Sequence, residues 1–125
     1  MIVQSRSKRK ASGGLYKKFK KKKLYEKGND PTHPKLGPTK RRVDRVKYGN
    51  YKIRVIRCDE VYVNVDNNKV VKTKILNVVD NPADKQLARQ NILTKGSIVK
   101  TELGLVRITS RPGQTGQVQG VLIKS

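Results

Sequence analysis

The sequence predicts an all-β fold, a small closed or nearly closed β-barrel of about six strands with one short helix and an extended basic N-terminal arm. Between residues 40 and 125, several short segments alternate apolar and polar residues with a period of two, which is typical of strands. Turn residues separate these segments. The first 39 residues instead concentrate lysine and arginine. A barrel is favoured over an open sheet because it leaves no unpaired edge.

Composition divides the chain after residue 39. Residues 1–39 contain twelve Lys or Arg and two acids, whereas residues 40–125 contain eighteen and seven. The first region ends in the Pro-rich stretch NDPTHPKLGP, which is typical of an extended linker. We expect residues 1–39 to be a basic arm and linker, poorly ordered without a partner. Residues 40–125 are sufficient for one barrel domain with a modest core.

Four alternating segments precede the predicted helix. The first two can pair as a hairpin around Tyr48-Gly49-Asn50, because glycine suits a hairpin turn. In the second of them, Tyr51, Ile53 and Val55 alternate with charged residues. Asn67-Asn68 offers the next turn, since asparagine tolerates positive φ. The predicted strands cover residues 41–47, 51–57, 60–66 and 70–79.

A short helix is predicted over residues 82–90. Asn81 is a suitable N-cap, Pro82 suits the first helical position, and Asp84 falls in the first turn. Leu87 and Ala88 could face the core. Two strands then flank a turn at 102–104, and a loop leads to the last strand. These strands cover residues 97–101, 105–110 and 118–124, and the loop covers 111–117.

The chain carries a formal net charge of +21, which attracts polyanions. Nucleic acid is the first such partner to consider and an anionic membrane surface the second. No run approaches the ~20 apolar residues that a membrane span needs, and no signal-peptide pattern is present. In residues 8–23, nine of sixteen side chains are Lys or Arg. As a helix this segment would place Lys17 beside Lys21, a repulsive pair. It therefore stays solvated or receives its negative charge from outside the chain.

Catalytic and metal-binding patterns are not evident. Cys58 lies in an apolar-rich stretch and is interpreted as a small core residue. His33 is the only histidine, so a structural zinc site lacks ligands. Asp59 and Glu60 are adjacent and would point to opposite faces of a strand. We therefore expect no enzyme activity, no cofactor, no metal and no small-molecule substrate.

Two segments of the arm are candidate nucleic-acid contacts. The lysines from Lys17 to Lys23 can neutralise phosphates, while Tyr16, Phe19 and Tyr25 can stack on bases or sugars. The alternative is a solvated charge run with aromatic rings packed on the barrel. Ser12-Gly13-Gly14 could turn backbone N–H groups toward phosphate or be a flexible spacer.

Two further candidates lie in the barrel domain. The segment KRRVDRVK (40–47) carries arginines, whose planar fork suits phosphate. On a strand, Arg41, Arg45 and Lys47 would share one face. The loop Arg111-Pro112-Gly113-Gln114 is a predicted type II turn, because proline and glycine are favoured at its centre. It could also contact phosphate or sugar.

Several motifs resemble the archaeal and eukaryotic e-type family of small-subunit ribosomal protein eight. They are SRSKRKASGG (5–14), LGPTKRR (36–42), NPAD (81–84), NILTKGSIVKTELG (91–104) and RITSRPGQTGQVQGVLI (107–123). The length resembles archaeal members. Two departures are Tyr48-Gly49-Asn50, where the family often has Gly-Gly-Asn, and Pro-Thr-His-Pro at 31–34.

The resemblance implies a structural component of the small ribosomal subunit, located in the cytoplasm within the ribosome. Its implied partners are small-subunit ribosomal RNA and neighbouring ribosomal proteins, with no membrane role. Alternatives left open are an assembly factor, a DNA-compacting protein, a module that binds membrane surfaces, and an enzyme. The expected RNA-binding residues are Arg6, Lys8, Arg9, Lys10, Ser12, Gly13, Gly14, Lys17, Lys18, Lys20, Lys21, Lys22, Lys23, Lys40, Arg41, Arg42, Arg45, Lys47, Arg111 and Gln114.

Overall fold

The computed structural model describes residues 2–3, 6–66 and 69–123. It divides the chain into two compact units, residues 1–31 and 32–125. The second unit includes the end of the Pro-rich stretch, because strand β1 (Lys35–Leu36) pairs with residues 57 and 58. The functional division into an arm at 1–39 and a barrel domain at 40–125 stays a prediction.

Eight strands and two short helices make up the second unit within the described residues. The strands after β1 are β2 (Lys40–Arg45), β3 (Tyr51–Cys58), β4 (Glu60–Asp66), β5 (Lys69–Asp80), β6 (Ile98–Thr101), β7 (Gly104–Ile108) and β8 (Gln119–Leu122). The helices are α1 (Lys85–Arg89) and α2 (Pro112–Thr115).

A closed barrel in the order β4-β5-β6-β7-β8 forms the body of this unit, which confirms the predicted fold class. The β4–β8 pair that closes it is parallel, and the other pairs are antiparallel. Alternate β-branched residues fill the interior, and Val61, Val63 and Val99 are fully buried. At Gly120, a Cβ would lie 2.5 Å from Val106 Cγ1, so a side chain there would overpack the barrel.

The predicted 41–57 hairpin is present, but it forms a second sheet in the order β1-β3-β2 rather than part of the barrel. The register shifts between Lys40 and Arg41, where β3 has one extra residue. This bulge brings both Val55 and Cys58 into the core. Along β3, the exposed fraction falls from 68% at Tyr51, beside the turn, to 1% at Val55. The end of the hairpin is therefore solvated.

Two local predictions concern a helix cap and a turn. The helix N-cap is Asp84, whose carboxylate accepts from Gln86 N at 2.8 Å, so the choice of Asn81 was wrong. The Asn81 oxygen instead accepts from Ala83 N and the Thr94 hydroxyl. The Asn67-Asn68 turn lies outside the described residues.

Candidate nucleic-acid interface

A tight turn at Ser12-Gly13-Gly14 shapes the first unit. Lys10 N donates to the Gly14 carbonyl at 2.8 Å, and Tyr16 N donates to the Lys8 carbonyl at 3.0 Å. Gly13 has a φ of +84°, a conformation in which a side chain would be strained. The two glycines thus reverse the chain direction within the basic arm.

The arm lysines are exposed to solvent. All the side chains from Lys17 to Lys23 are exposed, and Lys20 forms an ion pair with Glu26. The hydrogen bond from Lys20 lowers the pKa of Glu26, although partial burial opposes the shift. The same hydrogen bond raises the pKa of Lys20. Both groups therefore stay charged near neutral pH.

The β2–β3 hairpin carries the second concentration of positive charge, here called the hairpin surface. Its members are exposed except for Arg54, which is partly buried. The register places Arg41 and Arg45 on one face with Val43. Lys47 lies in the 3₁₀ turn Lys47–Gly49, so its predicted place on that strand face was wrong. The hairpin surface comprises Lys40, Arg41, Arg42, Arg45, Lys47 and Arg54.

Asp44 organises two of these arginines. Its carboxylate lies 2.9 Å from Arg42 Nε and 2.9 Å from Arg54 Nε. Burial raises the pKa of Asp44, but the hydrogen bonds from Arg42 and Arg54 outweigh burial, so its pKa lies below the ordinary value. Arg54 also donates from Nη1 to the Gly113 carbonyl at 3.2 Å. The Arg54 guanidinium, held by Asp44, thus links the hairpin to the 111–117 loop.

The loop does not form the predicted type II turn. Gly113 does not have the positive φ which that turn requires, and Pro112–Thr115 form one helical turn. A Cβ at Gly113 would clash with Thr32 Oγ1, and one at Gly116 would lie 2.9 Å from Ile53 Cγ2. Close packing on neighbouring segments therefore determines the loop conformation.

This packing brings the predicted Arg111 loop to the hairpin. Arg111 and Gln114 are both exposed, and α2 packs on β3. Sequence reasoning missed Arg54, which connects the two. Arg42, which was predicted, lies directly across from Arg54 on the paired strand. A hairpin register drawn from the turn could have found Arg54.

Acidification should uncouple the two arginines from Asp44. A carboxyl with a lowered pKa in the folded state contributes stability that is fully present above its ordinary pKa, about 3.9. That contribution is lost as the pH falls through the lower, folded-state pKa. We expect the exchange protection of the Arg54 Nε–H NMR signal to fall in that range, with an Asp44→Ala variant, which has no side-chain acceptor, unprotected at every pH. Protection that is independent of pH in the unmodified chain would contradict this assignment.

The residues considered for catalysis or metal binding do not form a site within the described residues. Cys58 is buried, with Sγ 3.0 Å from the Glu60 carbonyl oxygen, and His33 is exposed. Among the residues with described positions, no group of three or more His, Cys, Asp or Glu could hold a metal ion. In the same part of the chain, no helix is long and apolar enough to cross a membrane.

Comparison with known proteins connects this architecture to a family. The ribosomal protein S8e family profile matches residues 3–123. Small ribosomal subunit protein eS8 of Nanoarchaeum equitans is 48% identical over 124 residues, covering 97% of this chain and 96% of the relative. The protein of that name from Staphylothermus marinus is 48% identical, covering 93% and 92%. The one from Methanocorpusculum labreanum is 42% identical, covering 99% and 100%.

These matches confirm the predicted resemblance, the non-enzymatic role and the location in the cytoplasmic ribosome. They span nearly the whole chain, so both compact units are included in the similarity. The chain therefore belongs to the ribosomal protein S8e family, as a structural protein of the small ribosomal subunit.

Proposed function

We propose that this chain stabilises small-subunit ribosomal RNA by binding it through two basic surfaces, the arm and the hairpin surface with its adjoining loop. The observation that carries this proposal is exposed positive charge. The chain has 30 Lys or Arg against nine acids, and the cations of both surfaces face solvent, except for the partly buried Arg54. An RNA backbone would supply the counter-charge that the folded chain lacks.

The two surfaces would act differently. The arm presents flexible lysines, which behave as point charges toward phosphate. The hairpin surface presents arginines, and Asp44 holds Arg42 and Arg54 in fixed orientations. A guanidinium held in one orientation loses less freedom when it makes bidentate phosphate contacts. Such contacts position a protein on RNA without specifying sequence.

The arm would gain order on RNA. Like charges from Lys17 to Lys23 repel one another at short spacing, and bound phosphates would remove that repulsion. The barrel, with its buried core, would give the arm a folded anchor. Neighbouring ribosomal proteins are the second class of partner that this position implies.

Lysine labelling with an acetylating reagent, read by mass spectrometry, tests the proposal. Mature small subunits washed in high salt should retain the chain stoichiometrically. Within them, Lys17–Lys23, Lys40 and Lys47 should label more slowly than in the free chain. Lys74 and Lys100, exposed on the barrel exterior, are the controls and should change less.

Equal labelling of the arm lysines in the subunit and in the free chain would overturn the proposed RNA contact. Presence in precursor particles with absence from mature subunits would instead indicate an assembly factor. Enrichment on DNA would indicate a compacting protein. Each of these results would reject a structural role in the mature subunit.

A further inference from the structure

A groove of about 320 Å³ lies within the first unit, entirely among arm residues. Its walls come from the segment before the glycine turn and from the lysine run after it. The turn reverses the chain direction, and Tyr16 N donates a hydrogen bond to the Lys8 carbonyl. The volume is at the lower end of the roughly 300–1,000 Å³ of small-molecule sites. It is large enough for a planar group of modest size.

Two aromatic rings line this groove, and they differ in what covers them. The Arg6 guanidinium carbon lies 3.9 Å from the centre of the Tyr16 ring, a stacked cation–π contact. Phe19 is 78% exposed. Its ring centre lies 5.8 Å from Arg6 Cζ and 5.6 Å from Lys20 Nζ, within the cation–π range but farther than the 3.9 Å contact on Tyr16. Phe19 therefore presents apolar surface in a strongly charged segment.

The groove is cationic around this apolar surface. Lys8, Lys17 and Lys21 are among its lining residues. Glu26 also lines it, but the ion pair with Lys20 neutralises that carboxylate. An occupant must therefore combine a flat apolar face with an attached negative charge. A nucleotide has both, since every base has a π-face and is linked to phosphate.

We infer that this groove binds one unstacked nucleobase of single-stranded or bulged RNA, with the base against Phe19 and its phosphate among the lysines. This inference rests on the proposed RNA-binding function and makes it more specific. The arm would then select an RNA position with an unpaired nucleotide in addition to following the charge of the backbone. Stacking is tolerant of base identity, so the preference is for an extruded base over a paired one.

The test uses the full chain and three RNA stem-loops: a continuous duplex, the same duplex with one bulged adenosine, and that bulge with an abasic nucleotide. The abasic RNA keeps the phosphate and removes only the base. Stacking predicts that the adenosine bulge binds about 5- to 150-fold more tightly than the abasic bulge. Phe19→Leu should abolish this difference, and Phe19→Tyr should retain it.

Tyr25→Leu is the matched control, because Tyr25 is 81% exposed in the same arm but does not line the groove. It should leave the adenosine-to-abasic ratio unchanged. The ratio is measured within each variant, so a loss of folded protein does not mimic the effect.

Equal affinity for the adenosine and abasic bulges would overturn the inference, as would equal losses from Phe19→Leu and Tyr25→Leu. Binding to phosphatidylserine vesicles that depends on Phe19, without any difference between the adenosine and abasic bulges, would also overturn it by assigning the groove to lipid. Failure of the unmodified chain to bind any of the three RNAs would reject the proposed function itself.

Discussion

Replacing Lys17, Lys18, Lys21 and Lys22 with glutamine should make RNA binding by the full chain much less dependent on salt. Each neutralised phosphate contributes roughly 0.7–0.9 to the slope of log affinity against log salt. The slope should therefore become shallower by about 3–4. If six to ten phosphates are contacted, the unmodified chain loses about 10³–10⁵ in affinity between 50 and 200 mM salt. The variant should lose about 100-fold less over that range and should bind more weakly at 50 mM.

The matched control changes net charge by the same amount at exposed positions of the second unit. Its substitutions to glutamine are at Lys69, Lys74, Lys85 and Lys100. A general field effect would change both slopes equally, because the field follows net charge. Direct phosphate contact by the arm requires a larger change in the arm variant. Equal slopes for the two variants would contradict a contacting arm.

The barrel strands could be predicted because their signal is local. In β4, Val61 and Val63 are buried and Val65 is partly buried, whereas Asn64 between Val63 and Val65 is exposed. Such alternation identifies a strand with one buried face wherever the strand lies in the fold. It does not identify the sheet to which a strand belongs. The β2–β3 hairpin alternates just as well, yet it pairs with β1 outside the barrel.

The errors arose where a distant contact chose between two local conformations. Asn81 is as good an N-cap as Asp84, but its oxygen is shared between Ala83 N and the hydroxyl of Thr94, which lies thirteen positions later. Pro112-Gly113 suits a type II turn or the start of a helix. Packing against Thr32 and Ile53 favours the helical turn. None of these partners is visible in the local sequence.

The positive charge of the candidate interface could be predicted from the sequence, but the arrangement of its residues could not. Exposed lysines and arginines follow from composition, since such residues are rarely buried without a partner. The junction through Arg54 depends on the hairpin register and on Gly113, which is remote in sequence. The groove beside Phe19 depends on the turn at Gly13. The aromatic residues among the arm lysines indicated stacking on bases or sugars, but they did not show where in the arm a base would bind.

Gly116→Ala should destabilise the second unit by about 2–5 kcal/mol and release α2 from the hairpin. Gly116 has a φ of +73°, and a left-handed conformation costs an L-residue roughly 1–2 kcal/mol. The new Cβ would also lie 2.9 Å from Ile53 Cγ2 and 3.1 Å from Ile53 Cβ. Ile53 is β-branched and stiff, so the hairpin must shift, and overpacking of this kind adds about 1–3 kcal/mol. Urea unfolding measures the total.

Gly49 separates the two contributions, because its φ is also +73° and no atom lies within 4 Å of a Cβ built there. Gly49→Ala should therefore cost only the roughly 1–2 kcal/mol of backbone strain. In an Ile53→Ala background, the cost of Gly116→Ala should fall toward that value, since the nearest clashing methyl is gone. Additive costs in this cycle would show that the contact between Gly116 and Ile53 does not hold the loop. The Arg111 loop and the hairpin surface would then have to be treated as two independent RNA contacts.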